Sequence, residues 1–284
     1  RGVTVNAPQT PLQVEEVLGH GIRIPPQPRV VEEVHQMLFK DDFSVRRMAR
    51  LISQDAGLTA ALFRLVRSGA YAQRRLESLE QVLSVVGVKP AFNLIRAISL
   101  QEAFSGDHRV LERFWARSTE IAQLAATIAE ERVAVCNIFP DQAYLVGIFH
   151  DCGVPVLMER FPEYCSAPHL ASEEKWVSIK DEDRAFHVDH CVIGYLVARH
   201  WGLPDFISDA IRFHHELPRL DNNASRTMVA ILLMASEIYC RQRHVVNPDW
   251  ATVAPLVMEE LGIHLSAAED YIDDVVDLYY ARHR

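Results

Sequence analysis

The recurrence of apolar residues at helical spacing limits the possible folds of this chain more than any other feature of its sequence. In RVVEEVHQMLF, apolar residues fall at Val30, Val34, Met37 and Leu38, which the turn of a helix places on one side. Comparable segments follow one another along the chain, and no intervening stretch alternates with period two for long enough to indicate a sheet. The sequence therefore predicts an all-α fold.

Capping patterns indicate where several of these helices begin. Ser44 precedes the periodic segment VRRMARLIS and is expected to cap it. Ser78 with Gln81, and Ser266 with Glu269, have the spacing of capping boxes in front of apolar runs. We therefore expect helices to start directly after Ser44, Ser78 and Ser266.

A polar break, SGDHR at residues 105–109, separates two helical parts. The sequence predicts an N-terminal helical subdomain over residues 1–105 and a second helical domain over residues 106–284, which opens with the long helix FWARSTEIAQLAATIAEE. Further helices in the second part are predicted over residues 141–149, 188–201, 205–215, 225–243, 249–261 and 267–281.

Charge is divided unevenly between these two parts. Residues 1–105 carry 13 Lys and Arg against 10 Asp and Glu, whereas residues 106–284 carry 16 against 28. Arginines of the first part could form a basic surface for a nucleotide, RNA or an acidic partner. The plainer interpretation is a solvated helix surface, because no interleaved aromatic residues or glycine-rich phosphate loop accompany them. The arginines in question are Arg46, Arg47, Arg50, Arg64, Arg67, Arg74 and Arg75.

Other features indicate the cellular setting. No apolar run approaches the roughly 20 residues of a membrane-spanning helix, and the first residues, RGVTVNAPQT, lack the apolar core of a secretion signal. The five cysteines are an odd number without zinc-finger spacing, which favours reduced thiols. We therefore expect a cytoplasmic protein that does not engage a membrane. Residue 1 is Arg, so the chain could be a piece of a longer protein.

One short stretch, GIFHDCG, places His150 beside Asp151, and an imidazole and a carboxylate can both bind one divalent cation. His150, His190 and His214 continue the apolar faces of their helices, and His215 follows directly. A single inward histidine is more often a hydrogen-bonded core residue than a ligand. Several of them beside an aspartate leave two interpretations open, a histidine-containing core and a present or ancestral metal site.

The order of these motifs resembles a known family. The chain is similar to HDOD, the HD-related output domain of bacterial signalling proteins and a branch of the HD superfamily of metal-dependent phosphohydrolases. The resemblance covers residues 20–235 and implies an N-terminal helical subdomain packed on a C-terminal HD-like helical domain. It also implies a bacterial origin and a role in signal transduction. It rests on the segments IPPQP, LISQDAGLTAALFRLVRSGAY, SLEQVLSVVGV, FWARSTEIA, YLVGIFHDCGVPVL and HVDHCVIGYLVARHWGLPDFISDAIRFHHE.

The resemblance also implies a set of metal ligands, and this sequence departs from it. An active HD enzyme supplies an early His, the adjacent His and Asp, and a distal Asp. The early position aligns with Arg117, whose guanidinium has no lone pair to donate, and the distal position aligns with Ser236. We therefore expect a degenerate metal site without a cofactor, in which the charge of Arg117 pairs with Asp151.

These observations favour a non-catalytic output module that acts on signalling proteins by protein–protein interaction. A metal-dependent phosphohydrolase or cyclic-dinucleotide phosphodiesterase stays open as an alternative. The related HD-GYP phosphodiesterases use additional histidines at places that resemble His190, His214 and His215, so iron, manganese or another divalent metal could bind these together with His150 and Asp151. The GYP loop itself is absent, since LPRLDNN follows HHE. A second alternative is a sensor that binds a nucleotide, a cyclic dinucleotide or RNA.

Overall fold

The computed structural model describes residues 19, 21–40, 43–68, 76–104, 108–166, 179–221 and 223–282. Within these residues the protein is built from α-helices and short 3-10 turns, and no strand occurs in them. The predicted all-α fold is confirmed.

Five helices form the first part of the described chain. Ser44 caps the second of them, since its Oγ accepts a hydrogen bond from the Arg47 backbone, and the capping box of Ser78 and Gln81 opens the fourth. Both predicted caps are thus present. The helices are α1 (Arg29–Leu38), α2 (Val45–Ile52), α3 (Ala56–Ser68), α4 (Leu79–Val86) and α5 (Val88–Glu102).

The described residues of the second part form ten helices. A 3-10 turn, Leu265–Ala267, stands where a capping box was predicted. Ser266 lies in that turn with its Oγ 2.7 Å from His264 Nδ1, so α15 begins two residues after it. The helices are α6 (His108–Glu131), α7 (Val133–Cys136), α8 (Pro140–Phe149), α9 (Gly153–Arg160), α10 (Ile179–Phe186), α11 (His190–His200), α12 (Asp205–Arg212), α13 (Ala224–Gln242), α14 (Trp250–Glu260) and α15 (Ala268–Arg282). The 3-10 turns are Pro162–Ser166, Leu217–Arg219 and Leu265–Ala267.

Two clusters of buried apolar side chains fill the molecule, and α5 contributes to both. Four residues of α5 belong to the first cluster, which otherwise comes from α1 to α4 and Leu76; they are Ala91, Phe92, Ile95 and Ile98. Ala97 and Leu100 of the same helix belong to the second cluster. A helix with apolar residues on two faces can pack between two cores. The predicted boundary after residue 105 follows this helix closely, and the division into two domains stays a prediction.

Helix α5 meets α4 at a sharp bend. Gly87, which joins them, has a φ of 95°, a backbone conformation that glycine adopts without steric cost. Taken singly, no helix in the described part of the chain combines the length and apolarity needed to cross a bilayer. The pair α4 and α5 meets those criteria jointly and is bent by 114°.

Two glycines on either side of the HD dipeptide allow close contacts between helices. A Cβ at Gly147 on α8 would lie 2.4 Å from the Cα of Ala122 on α6, and a Cβ at Gly153 on α9 would lie 2.1 Å from the backbone oxygen of His190 on α11. Side chains at these positions would push the helices apart. The two glycines thus bring α6 and α11 against the turn that carries His150 and Asp151.

Candidate functional site

The Asp151 carboxylate is surrounded by four basic side chains. It lies in the turn between α8 and α9, and Asp151 is 2% exposed. Its Oδ2 lies 3.0 Å from Arg117 Nη2 and 3.2 Å from His150 Nε2. Its Oδ1 lies 3.4 Å from His190 Nε2 and 3.3 Å from His214 Nε2. The turn after α8, the helices α6 and α11, and the turn after α12 therefore converge on one carboxyl group.

The predicted ion pair between Arg117 and Asp151 is present. Arg117 lies on α6 and donates a hydrogen bond from Nη2 to Asp151 Oδ2. The side chains are 15% and 3% exposed, respectively, so solvent screens the pair weakly. Burial raises the pKa of Asp151, but His150, His214 and His190 outweigh it and hold that pKa well below its usual value. The carboxylate is therefore ionised in the folded protein.

The imidazoles of His150 and His214 are oriented by backbone carbonyls. His150 Nδ1 lies 2.6 Å from the Gly147 oxygen, and His214 Nδ1 lies 2.8 Å from the Ile211 oxygen. A carbonyl only accepts hydrogen bonds, so each Nδ1 carries the hydrogen and, in the neutral ring, Nε2 has the lone pair. The Nε2 atoms of both rings face Asp151. Metal-binding histidines are commonly oriented in this way by an outer partner.

His190 has a carboxylate as its outer partner, and sequence analysis missed that residue. Glu182 on α10 is 2% exposed, and its Oε2 lies 2.6 Å from His190 Nδ1 and accepts from the His190 backbone at 3.0 Å. Tyr164 donates its hydroxyl to the other oxygen of Glu182. Burial lowers the pKa of His190, but Cys191 and Glu182 outweigh it and raise that pKa well above its usual value. Nothing in IKDEDRAF distinguishes Glu182 from the exposed acids beside it.

A thiol and a further histidine lie behind His190 and His214. Cys191 Sγ is 3.4 Å from His190 Nε2 and 3.8 Å from His214 Nδ1. The His215 ring centroid is 5.3 Å from that of His190 and 4.2 Å from that of His214. The ligand atoms of these four residues all lie within 4.8 Å of one another. The sequence predicted only an ordinary reduced thiol at Cys191. Adjacent residues of a helix point in different directions, so the position of Cys191 next to His190 did not indicate a shared cluster.

The cluster thus has two sides, which we name by their residues. The arginine side consists of Arg117 and His150, which both contact Asp151 Oδ2. The thiol side consists of His190 and His214, which both contact Asp151 Oδ1, together with Cys191 and His215, which lie next to these two histidines.

The ligand set implied for an active HD enzyme does not fit these residues. Arg117 supplies a guanidinium where a lone pair is needed, and it occupies Asp151 Oδ2. At the distal position Ser236 is buried on α13, and the adjacent Glu237 accepts a hydrogen bond from Arg241 at 2.6 Å. The alternative set is brought together in one buried cluster, and metal binding by it stays a prediction. That set is His150, Asp151, His190, His214 and His215.

The predicted basic surface lies on α2 and α3, in the other part of the chain. Arg46, Arg47, Arg50, Arg64 and Arg67 are all exposed there. Arg46 Nε lies 3.8 Å from Glu80 Oε1, and Arg67 donates to the Leu76 carbonyl at 3.1 Å. Arg46 and Arg67 are thus engaged with neighbouring groups, and binding of a nucleotide or RNA by this surface stays a prediction. Arg74 and Arg75 lie outside the described residues.

Comparison with known proteins identifies a family and a shared fold. The sequence profile described as HDOD domain matches residues 24–217. The crystal structure of an HDOD domain protein of unknown function from Geobacter sulfurreducens is 25% identical, covers 96% of this chain and 97% of that one, and superposes with a TM-score of 0.70. A Shewanella amazonensis protein provisionally named a phosphohydrolase is 18% identical over 94% of each chain, with a TM-score of 0.68, and shares the fold.

A curated relative extends well beyond the matched region. An uncharacterized protein of Treponema pallidum is 24% identical over 197 residues, which are 69% of this chain and 38% of that protein. The chain therefore spans well under half the length of this relative.

Proposed function

The chain belongs to the HDOD domain family, and from that premise we propose that it is a signal-transduction output module that binds other signalling proteins and does not hydrolyse phosphoesters. The observation that carries this proposal is the buried ion pair between Arg117 and Asp151. In this pair, Arg117 occupies the carboxylate that an HD enzyme would use to bind its metal.

Burial of the cluster supports the proposal. Metal-dependent hydrolysis needs a water molecule, activated by the metal, within reach of the phosphoester. Asp151 and His150 are each 2% exposed and His190 is 0% exposed. A phosphoester cannot reach these groups unless the surrounding helices move apart. A binding module has no such requirement.

The permanence of the Arg117 charge supports it further. A guanidinium stays protonated at any working pH, so no change of protonation turns Arg117 into a ligand. Displacing it from Asp151 would break a buried ion pair, at a cost of about 3–5 kcal/mol. A metal that used Asp151 would have to offset that cost.

Two measurements test the proposal together. Purified protein is assayed with bis(p-nitrophenyl) phosphate and with cyclic dinucleotides, in Mn²⁺ and in Fe²⁺, beside Asp151→Asn. We expect the wild-type protein and Asp151→Asn to hydrolyse these substrates at the same background rate. In parallel, the tagged chain is cross-linked in its native cell, and its partners are quantified against the tag alone. We expect a signalling protein to be enriched; metal-dependent turnover abolished by Asp151→Asn, or no enrichment over the tag, would contradict the proposal.

The second candidate function is a metal-dependent phosphohydrolase, and one observation favours it. The Nε2 atoms of His150, His190 and His214 face a single carboxylate, while each Nδ1 is held by an outer partner, as in many metal sites. Under this alternative, the hydrolysis assay would give turnover that a chelator removes and added Mn²⁺ or Fe²⁺ restores.

A further inference from the structure

We propose that the thiol side is a metal site in its own right, in which His190, Cys191 and His215, with His214 as the fourth ligand, bind Zn²⁺ without using Asp151. Such a site replaces the carboxylate of an HD enzyme with a thiolate. It is independent of the proposed function, because a buried structural or sensing metal is compatible with either a binding module or an enzyme.

Distances on the thiol side match tetrahedral coordination. Zinc binds sulfur at about 2.3 Å and imidazole nitrogen at about 2.0–2.1 Å, which puts a sulfur and a nitrogen ligand about 3.6 Å apart. Cys191 Sγ lies 3.4 Å from His190 Nε2 and 3.8 Å from His214 Nδ1. All four ligand atoms lie within 4.8 Å of one another, so a zinc ion would draw the most separated of them closer together.

The nitrogen atoms on this side can bind a metal once protonated rings have released their protons to solvent, as metal binding requires. Glu182 holds Nδ1 of His190, which leaves Nε2 as the ligand atom. His215 Nε2 is buried and makes no hydrogen bond to the described part of the chain, so a metal would satisfy it. His214 would bind through Nε2, or through Nδ1 after release of the Ile211 carbonyl. Cys191 binds as a thiolate and releases its proton to solvent when the metal enters.

Charge also favours zinc in this place. The two positive charges of Zn²⁺ would be balanced by the Cys191 thiolate and by the Glu182 carboxylate that supports His190, with the imidazoles neutral. Asp151 is not needed for this balance, because Arg117 already pairs with it. A thiolate with imidazoles selects Zn²⁺ over Mn²⁺, which prefers oxygen ligands.

Cobalt provides a direct test, since Co²⁺ takes tetrahedral zinc sites and absorbs in the near ultraviolet when it binds sulfur. The full chain is stripped with a chelator under reducing conditions and titrated with Co²⁺. We expect one Co²⁺ per chain, a sulfur-to-cobalt charge-transfer absorption, and loss of that absorption when Zn²⁺ is added. Cys191→Ser should abolish the absorption and weaken Zn²⁺ binding at least tenfold.

Cys152→Ser is the matched control. Cys152 is also fully buried and adjoins Asp151, but its Sγ points to the Gly194 carbonyl at 3.9 Å. This variant should keep the absorption. Wild-type protein that binds Co²⁺ without sulfur absorption, or binds no stoichiometric Co²⁺, overturns the proposal even if Cys191→Ser does not fold. Absorption that survives in Cys191→Ser overturns it as well. Phosphoester turnover would contradict the proposed function and leave this site unaffected.

Discussion

The two sides of Asp151 differ in the kind of charge that they present to it. On the arginine side, Arg117 Nη2 lies 3.0 Å from Oδ2 and presents a guanidinium, which offers no lone pair to a metal. On the thiol side, His190 and His214 can each gain or lose a proton, and Cys191 can lose one. One side is thus a fixed ion pair, whereas the other retains groups able to exchange protons for a metal. If the thiol side binds Zn²⁺ as proposed, loss of two expected ligands from an HD-type site does not remove its whole capacity to bind metal.

The arginine side is tested most strongly by removing its charge. Arg117→Met leaves a buried carboxylate without its guanidinium, and we expect the free energy of unfolding to fall by about 3–5 kcal/mol. Urea denaturation measures this change. The matched control is Arg46→Met, because Arg46 makes an exposed pair with Glu80, and it should change stability by no more than about 0.5 kcal/mol. Equal effects of the two substitutions would contradict a structural role for Arg117.

The junction between the two sides depends on Gly153. A Cβ there would lie 2.1 Å from the His190 backbone oxygen, so Gly153→Ala should lower the free energy of unfolding by about 1–3 kcal/mol or more. Thermal or urea denaturation measures it. Gly57 on α3 has no neighbour closer than 3.4 Å to a built Cβ, and Gly57→Ala should be neutral or stabilise by about 0.5–1 kcal/mol. A harmless Gly153→Ala would mean that α9 and α11 are not in this close contact.

The thiol side is tested through its outer partner, Glu182. Glu182→Gln removes the charge that orients His190, and metal affinity should fall about tenfold to a hundredfold. Titration with Zn²⁺ against a chromogenic chelator measures this. Asp181→Asn changes an acid to its amide on the same helix, at a side chain that is 67% exposed, and should leave the affinity unchanged. Equal losses in both variants would point to net charge rather than to orientation of His190.

Replacing Arg117 by a metal ligand would make the arginine side, like the thiol side, able to bind a metal. Arg117→His combined with Ser236→Asp restores the residue types implied for an active HD site, and Mn²⁺ affinity should rise about tenfold, since carboxylate and imidazole ligands suit this ion. Isothermal titration of wild type and double variant measures the change. No gain in Mn²⁺ affinity would count against the assignment of these two positions.

Sequence periodicity predicted the helices and the inward direction of His150, His190 and His214, because these depend on local spacing. The family resemblance predicted the ion pair of Arg117 with Asp151. Neither indicated Glu182, which reaches His190 only through the path of the chain in space. The helix predicted over residues 205–215 ends at Arg212.

That early end has a local cause. His214 Nδ1 donates to the Ile211 carbonyl, so a side chain takes a carbonyl that a continuing helix would bond to its own backbone. The same competition explains the wrong capping box at Ser266, whose hydroxyl bonds to His264 instead. Side-chain hydrogen bonds of this kind are local, but apolar periodicity carries no information about them.

We propose that Arg117 prevents Asp151 from binding a metal, whereas the thiol side binds one. Anomalous diffraction at the zinc edge, from crystals grown with Zn²⁺, tests this claim most directly. We expect one anomalous peak between Cys191, His190 and His215, with Arg117 still bonded to Asp151. A peak coordinated by His150 and Asp151, with the Arg117 side chain displaced, would contradict it.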